Sequence, residues 1–223
     1  MSIATLILGE SGTGKSTSIR NFNPKDVLLI QTVKKPLPFK SDQWKTLSND
    51  TPQGSVYHTD NAAIIVKAMQ KTSKPIIIID DFQYILANEF MRRVLDNETG
   101  NQAFQKYNEI ARNAWDILMT ASNLDSNKRV YILSHTQVDE SGKTKIKTIG
   151  KLLDEKITIE GLLTIVLRSH VINEQYVFST KNSGSDTVKS PLGMFDDFHI
   201  ENDLAAIDKI ITDFYGINTG ELK

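Results

Sequence analysis

The run Gly9-Glu10-Ser11-Gly12-Thr13-Gly14-Lys15-Ser16 fits the pattern Gly-x-x-x-x-Gly-Lys-Ser, and no other stretch narrows the folds open to this chain so far. Ile3-Ala4-Thr5-Leu6-Ile7-Leu8 precedes it as a buried strand would, and a polar, helix-competent run from Lys15 to Asn21 follows. The loop is therefore expected to join a strand to a helix, its glycines letting consecutive backbone N–H groups curl around phosphate oxygens. In such a loop Gly9, Ser11, Gly12, Thr13, Gly14, Lys15, Ser16 and Thr17 form the nucleotide-binding set. Lys15 is the expected cation for the β- and γ-phosphates, and the Ser16 hydroxyl the expected ligand for Mg²⁺. ATP and Mg²⁺ are the expected cofactors.

A second motif supports the first. After Lys74-Pro75, the run Ile76-Ile77-Ile78-Ile79-Asp80-Asp81 reads as a strand buried on both faces and ending in two carboxylates. The first acid after such a strand sits beside the Mg²⁺ ion, opposite the loop serine, which assigns Asp80 to the metal site with Ser16. Asp81 is the better placed to orient or deprotonate a water, with Glu10 as the alternative base. Asp81 has a plainer role open to it as the cap of a helix beginning near Tyr84.

At 223 residues and 39% apolar content, the chain can build a substantial core. The apolar start is too short for an export signal, and no apolar run approaches the ~20 residues of a membrane span, so no membrane association is expected. With no cysteine there is neither a disulfide framework nor a thiolate metal site, and a cytoplasmic location is the default. A net charge of −1 means that any nucleic-acid contact must come from a local patch.

Val27 to Ile30 reads as a second strand, and Lys34 to Pro52 as an irregular region. Asn61 to Lys71 carries apolar residues at helical spacing, and a short helix is expected from about Ile85 to Leu95. A longer helix follows, with Phe104, Tyr107, Ile110, Ala111, Ala114, Ile117, Leu118 and Ala121 on one face and Trp115 as a core residue. Arg129 to His135 is a further buried strand. Asp139 to Lys151 carries no core signal, but Lys143, Lys145 and Lys147 alternate with Thr144 and Ile146 and would share one face if extended. After a short helical piece near Leu152 to Lys156, strands at Leu162–Val171 and Gln175–Thr180 are joined by a tight turn at Asn173-Glu174. A last amphipathic helix spans about Leu204 to Tyr215 and stops at Gly216. The whole, residues 1–223, reads as one α/β P-loop NTPase domain with a mainly parallel central sheet and antiparallel strands at one edge.

In a sheet of this order the 129–135 strand lies next to the Asp80 strand, with its end near the γ-phosphate. His135 and Gln137 are thus candidate sensors of the third phosphate, His135 through a proton-bearing ring nitrogen. The other reading is a histidine that simply finishes its strand with a hydrogen bond. His58, His170 and His199 show no metal-ligand spacing. The lysines at 143, 145, 147 and 151 read either as a solvated loop or as a nucleotide-sensitive one that tracks the phosphates of single-stranded DNA.

Several blocks extend the pattern beyond the generic nucleotide motifs. The loop Gly9 to Ser16, Asp80-Asp81-Phe82-Gln83-Tyr84, Asn88 to Arg93, Lys147 to Lys156 and Lys189-Ser190-Pro191-Leu192-Gly193-Met194-Phe195 resemble phage-encoded ATP-binding proteins. Those are similar to the single-domain, RecA-core recombinases and single-strand annealing proteins of bacteriophages. The resemblance covers nearly the whole chain. It implies a RecA-like core, ATP and Mg²⁺, and DNA recombination or repair in the host bacterial cytoplasm. RecA-type enzymes commonly carry the water-activating Glu after an earlier strand, and no acid here matches that position; the Asp80-Asp81 pair looks more like that of other ring ATPases.

Three functions compete. The first is a DNA-stimulated, Mg-dependent ATPase that binds single-stranded DNA and promotes annealing or strand exchange, assembling head to tail as a ring or filament. Its candidate partners are single-stranded DNA, further copies of itself and a single-strand DNA-binding protein. Arg168, Lys181 and Lys189 are candidates to complete a neighbour's site. The second is a ring ATPase acting on a protein, such as a helicase loader. The third, a small-molecule kinase, is disfavoured because the segment after the sensor strand offers lysines but no arginine clamp.

Overall fold

The apolar runs pair into strands in a way that sets the loop at the middle of a sheet. The computed structural model describes residues 1–94, 101–150 and 152–218, with backbone only for 101–103. Its strands are β1 (Ile3–Gly9), β2 (Val27–Gln31), β3 (Val56–His58), β4 (Ile76–Asp80), β5 (Arg129–Val138), β6 (Thr144–Ile146), β7 (Ile165–Ile172), β8 (Gln175–Ser179) and β9 (His199–Glu201). The sheet runs β3-β2-β4-β5-β1-β7-β8-β9, parallel from β3 through β7 and antiparallel beyond, while β6 pairs antiparallel with the outer end of β5. Asn173 and Glu174 between β7 and β8 have φ of 48° and 66°, the two left-handed residues of a hairpin turn whose twist matches its strands. The parallel sheet and its antiparallel edge follow the sequence expectation; β3 and β9, three residues each, are too short to carry a periodic signal.

Helices cover both faces, which is why β4 can be isoleucine from 76 to 79. Ile77 and Ile79 pack with Leu6, Leu8, Val130 and Ile132 against α1 (Ala62–Lys71), α2 (Phe82–Arg92) and α3 (Asn101–Ser122). Ile76 and Ile78 face the other way, with Ile7, Leu29 and Leu133, onto Ile19, Phe22 and α4 (Leu204–Tyr215) through Leu204, Ile207 and Ile211. Each such side chain contributes roughly 1.5–3 kcal/mol on burial. Asn61 and Asp203 cap α1 and α4 by accepting backbone N–H bonds, and Gly216 at φ 61° closes α4 in the left-handed conformation.

Four expectations are corrected. The run from Lys15 to Asn21 forms only a short 3₁₀ turn, Ser16–Ile19, because Asn23 and Pro24 begin a second turn (Pro24–Asp26) that feeds β2. Phe104 is exposed, and the buried stripe of α3 begins in earnest at Ile110; nearer its start Lys106 folds inward, its ammonium 5.7 Å from the Phe90 ring centre. The 139–150 stretch does contribute to the core, since Thr144 and Ile146 of β6 are buried. α2 also begins earlier than expected, at Phe82, and its expected end at Leu95 lies outside the described residues. Among the described residues no helix is long and apolar enough to cross a membrane.

Candidate functional site

Parallel pairing brings the carboxyl ends of β1, β4 and β5 together, with Gly9 opposite His135 and Asp80 opposite Leu133. The loop is tightly seated. A Cβ on Gly9 would stand 2.6 Å from Thr13 Oγ1 and 2.8 Å from the Ser169 carbonyl oxygen, while Gly14 at φ 95° has the Tyr176 ring against it. Ser169 Oγ donates to the Thr13 carbonyl and Asn202 Nδ2 donates to Ser169 Oγ at 3.0 Å, so β7 and the residue after β9 brace the loop from below.

The chemistry-bearing side chains converge. The Lys15 ammonium is buried and donates to the carbonyl oxygens of Gly9 and Glu10, both at 2.9 Å. Ser16 Oγ donates to Asp80 Oδ1 at 2.9 Å and Oδ2 at 3.0 Å, which joins the expected metal ligands. Asp81 Oδ2 lies 3.4 Å from His135 Nε2 and 3.5 Å from Lys35 Nζ. Asp81 stands at the start of α2 but makes no side-chain cap bond, so its carboxylate is turned to the site rather than to the helix. Thr32 fixes its backbone: Thr32 Oγ1 accepts the Asp81 N–H at 3.2 Å and donates to the Asp81 carbonyl at 2.9 Å. The peptide between Asp80 and Asp81 is cis.

Burial governs the protonation of this cluster. It pushes Asp80 up to about 6, helped by the charge of Asp81 and opposed by Lys35, Ser16 and Lys15. Burial also acts upward on Asp81, but the hydrogen bond from His135 and the charges of Lys15, His135 and Lys35 outweigh it and hold that carboxyl below its ordinary range. The Lys15 ammonium is depressed by burial, against the pull of Asp81 and Asp80.

A cleft of about 410 Å³ opens over these groups, lined by the loop, Lys35, Asp81, Tyr84, His135 and Tyr176. A second cleft of about 750 Å³ adjoins it, sharing Thr17 and Tyr176. The set suits a magnesium–nucleotide complex. Asp81 Oδ1 is buried with no hydrogen-bond partner among the described residues, an acceptor free to serve a ligand or water. No group of three or more His, Cys, Asp or Glu among the described residues could hold a metal by itself. Magnesium bound through one or two protein oxygens plus substrate phosphates needs no such group.

Lys15, Ser16, Asp80, Asp81 and His135 are brought together, but other candidates lie apart. Glu10 is exposed, 3.8 Å from Arg168 of its own chain. Gln137 turns away and donates to Asp154 at 2.6 Å. Lys143 and Lys147 are exposed and Lys145 pairs with Asp154 at 2.8 Å, all on β6 or its flanks, while Lys151 lies outside the described residues. Lys181 donates to the Asp196 carbonyl at 2.6 Å and Lys189 is bridged by backbone to Val166. Motif reading missed Thr32, Lys35, Ser169, Tyr176 and Asn202. Thr32 and Lys35 had a faint signal, because they follow a strand whose neighbour ends in Asp80; Asn202 had none.

No protein-family model and no curated protein sequence matches the chain. Among solved structures it is similar to a prototypical ATPase from the type III secretion system of pathogenic bacteria, at 13% identity and TM-score 0.44, covering 77% of this chain and 51% of that one. It is also similar to the ATPase DotB of Legionella pneumophila, at 12% identity and TM-score 0.38, covering 82% and 47%. The chain thus spans about half the length of these structures. By its own strand order, loop and acidic strand end, the fold is a RecA-like, P-loop α/β fold with an antiparallel edge.

Proposed function

We propose that this protein binds ATP with Mg²⁺ and hydrolyses it, and that it couples the nucleotide to single-stranded DNA. The observation that carries the first part is the convergence of Lys15, Ser16, Asp81 and His135 on one cleft, with the buried Asp80 bonded to Ser16. Ser16 and Asp80 would hold the ion, which draws charge from the phosphate oxygens when bound. Lys15 neutralises the charge that develops on the transferred phosphoryl group. Asp81, kept ionised, orients the attacking water and takes its proton, and His135 reports through Asp81. The adjoining cleft past Thr17 is the space open to the nucleoside, with Tyr176 between the two.

The DNA part has separate support. β6 pairs directly with the outer end of β5, and the Lys147 N–H donates to the His135 carbonyl at 2.8 Å, so a segment bearing three lysines is one bond from the phosphate-facing histidine. The resemblance to phage recombination proteins points the same way, toward annealing or strand exchange by a head-to-tail assembly of a one-domain chain in the host cytoplasm. The decisive experiment is ATP turnover and binding by Lys15→Ala. Turnover should be lost and triphosphate affinity should fall by about 100-fold or more, and unchanged turnover in the folded variant would refute the nucleotide assignment.

A further inference from the structure

The amino ends of the parallel strands, opposite the nucleotide loop, carry another cleft, of about 860 Å³. Lys25 stands just ahead of β2 and Lys74 just ahead of β4; Lys67 and Lys71 lie four residues apart on α1 and therefore share a face. All four line this cleft, against a single lining carboxylate, Asp26, which accepts a hydrogen bond from Asn23 at 3.0 Å. In a chain of net charge −1 that is a strong local segregation of positive charge. Among the described residues Lys25, Lys67 and Lys71 are exposed and none makes an ion pair.

The rim has a built underside. Lys74 Nζ donates to the Pro24 carbonyl at 3.0 Å, and the buried Lys128 ammonium donates to the carbonyls of Thr72 and Lys74 at 2.8 and 2.7 Å. Lysines near a helix C-terminus offset its dipole, which accounts for Lys71 and Lys128 but leaves Lys25 and Lys67 unexplained. The lining also includes apolar and aromatic side chains: Ile64 is 42% exposed, and Leu47 and Tyr57 are half-buried. A concave groove that combines four cations with one half-buried tyrosine suits a flexible strand, whose phosphates and bases need both, better than it suits a flat lipid surface.

We infer that this cleft is a track for single-stranded nucleic acid, with backbone phosphates on Lys25, Lys67 and Lys71 and a base against Tyr57. The five residues of β4 separate its Lys74 end from Asp80 by roughly 17 Å, while Tyr57 stands level with Ile79 across β2; the cleft acts as a tether and stands whether or not the chain hydrolyses ATP. It is also distinct from the β6 lysines, which lie at the opposite ends of the strands.

The test is fluorescence anisotropy with labelled oligothymidylate over a salt series. The variants are Lys25→Gln/Lys67→Gln/Lys71→Gln, Tyr57→Leu, and Lys143→Gln/Lys145→Gln/Lys147→Gln, each checked by circular dichroism melting. The first should bind at least about tenfold more weakly, with a log–log salt slope shallower by about 2, at roughly 0.7 per lost phosphate contact. Tyr57→Leu should weaken binding about tenfold with the slope unchanged, since stacking releases no counterions. The inference fails if the parent does not bind the oligonucleotide, or if the Lys25/Lys67/Lys71 variant matches it in affinity and slope. It also fails if that variant instead loses binding to phosphatidylserine vesicles.

Discussion

At Asp81, burial alone would drive the carboxyl toward its neutral form, and the hydrogen bond from His135 together with the charges around it reverses that outcome while Asp80 next to it is left raised. The two acids thereby differ in state: Asp80 sits with Ser16, whereas Asp81 keeps a charged carboxylate with one buried, unpartnered oxygen, which suits the water-orienting role proposed for it. Asp81→Asn should retain ATP in equilibrium binding but lose about 100-fold or more in turnover, whereas Glu10→Gln, altering an exposed group beside Arg168, should turn over almost normally. The reverse pattern would make Glu10 the base. Thr32 is a positioning residue in this scheme, holding the Asp81 backbone from both sides. Thr32→Val should lower kcat roughly tenfold with KM little changed, and Thr32→Ser should restore it; a matching loss in both variants would mark a merely structural role. Motif spacing exposes Lys15 and Ser16 because the loop fixes them by local chain geometry, and Asp80 because it ends a long apolar strand, although its contact with Ser16 spans 64 residues. Thr32, Lys35 and Asn202 reach the site through strand order and a distant turn, which no local pattern encodes.

The single turn after the loop shifts work to another element. With only Ser16–Ile19 helical there, the face of the sheet beside Ile19 and Phe22 is closed by α4, far along the chain. One polar clamp secures α4: Asp208 accepts from Arg129 Nε and Nη2, both at 2.9 Å, and from the buried Tyr131 hydroxyl at 2.6 Å. Asp208→Ala strands a buried guanidinium, so it should cost about 3 kcal/mol in urea unfolding, and a loss below 1 kcal/mol would show that apolar contacts alone hold the helix. The α1, α3 and α4 periodicities and the β1, β4 and β5 runs were readable because each is long enough to repeat its pattern. The truncated helix was not, since Lys15 to Asn21 looks equally fit for a full helix until Pro24 is weighed as its stop. β6 was half-visible: its alternation is plain, but a single buried isoleucine gives too little apolar signal to mark it as core.

Across the whole molecule, the nucleotide loop and β6 sit at one end of the strands and the Lys25–Lys74 cleft at the other. Neutralising Lys143, Lys145 and Lys147 together should leave basal ATP turnover near that of the parent while weakening single-stranded DNA binding. Titration of turnover against added DNA checks both; stimulation equal to the parent's would leave β6 as a solvated ribbon. The order of the sheet has one more consequence. β1 lies between β5 and β7, with Ile3 opposite Arg129 and Thr5 opposite Ile165. The strand that carries the loop therefore leaves the ribosome with neither neighbour made, and it stays without a sheet until most of the chain has emerged. Such long-range pairing folds slowly and leaves an apolar strand bare in the meantime. Nascent chains halted before residue 165 should accordingly be open to protease at β1 and be candidates for chaperone capture, whereas chains released past β7 and α4 should resist.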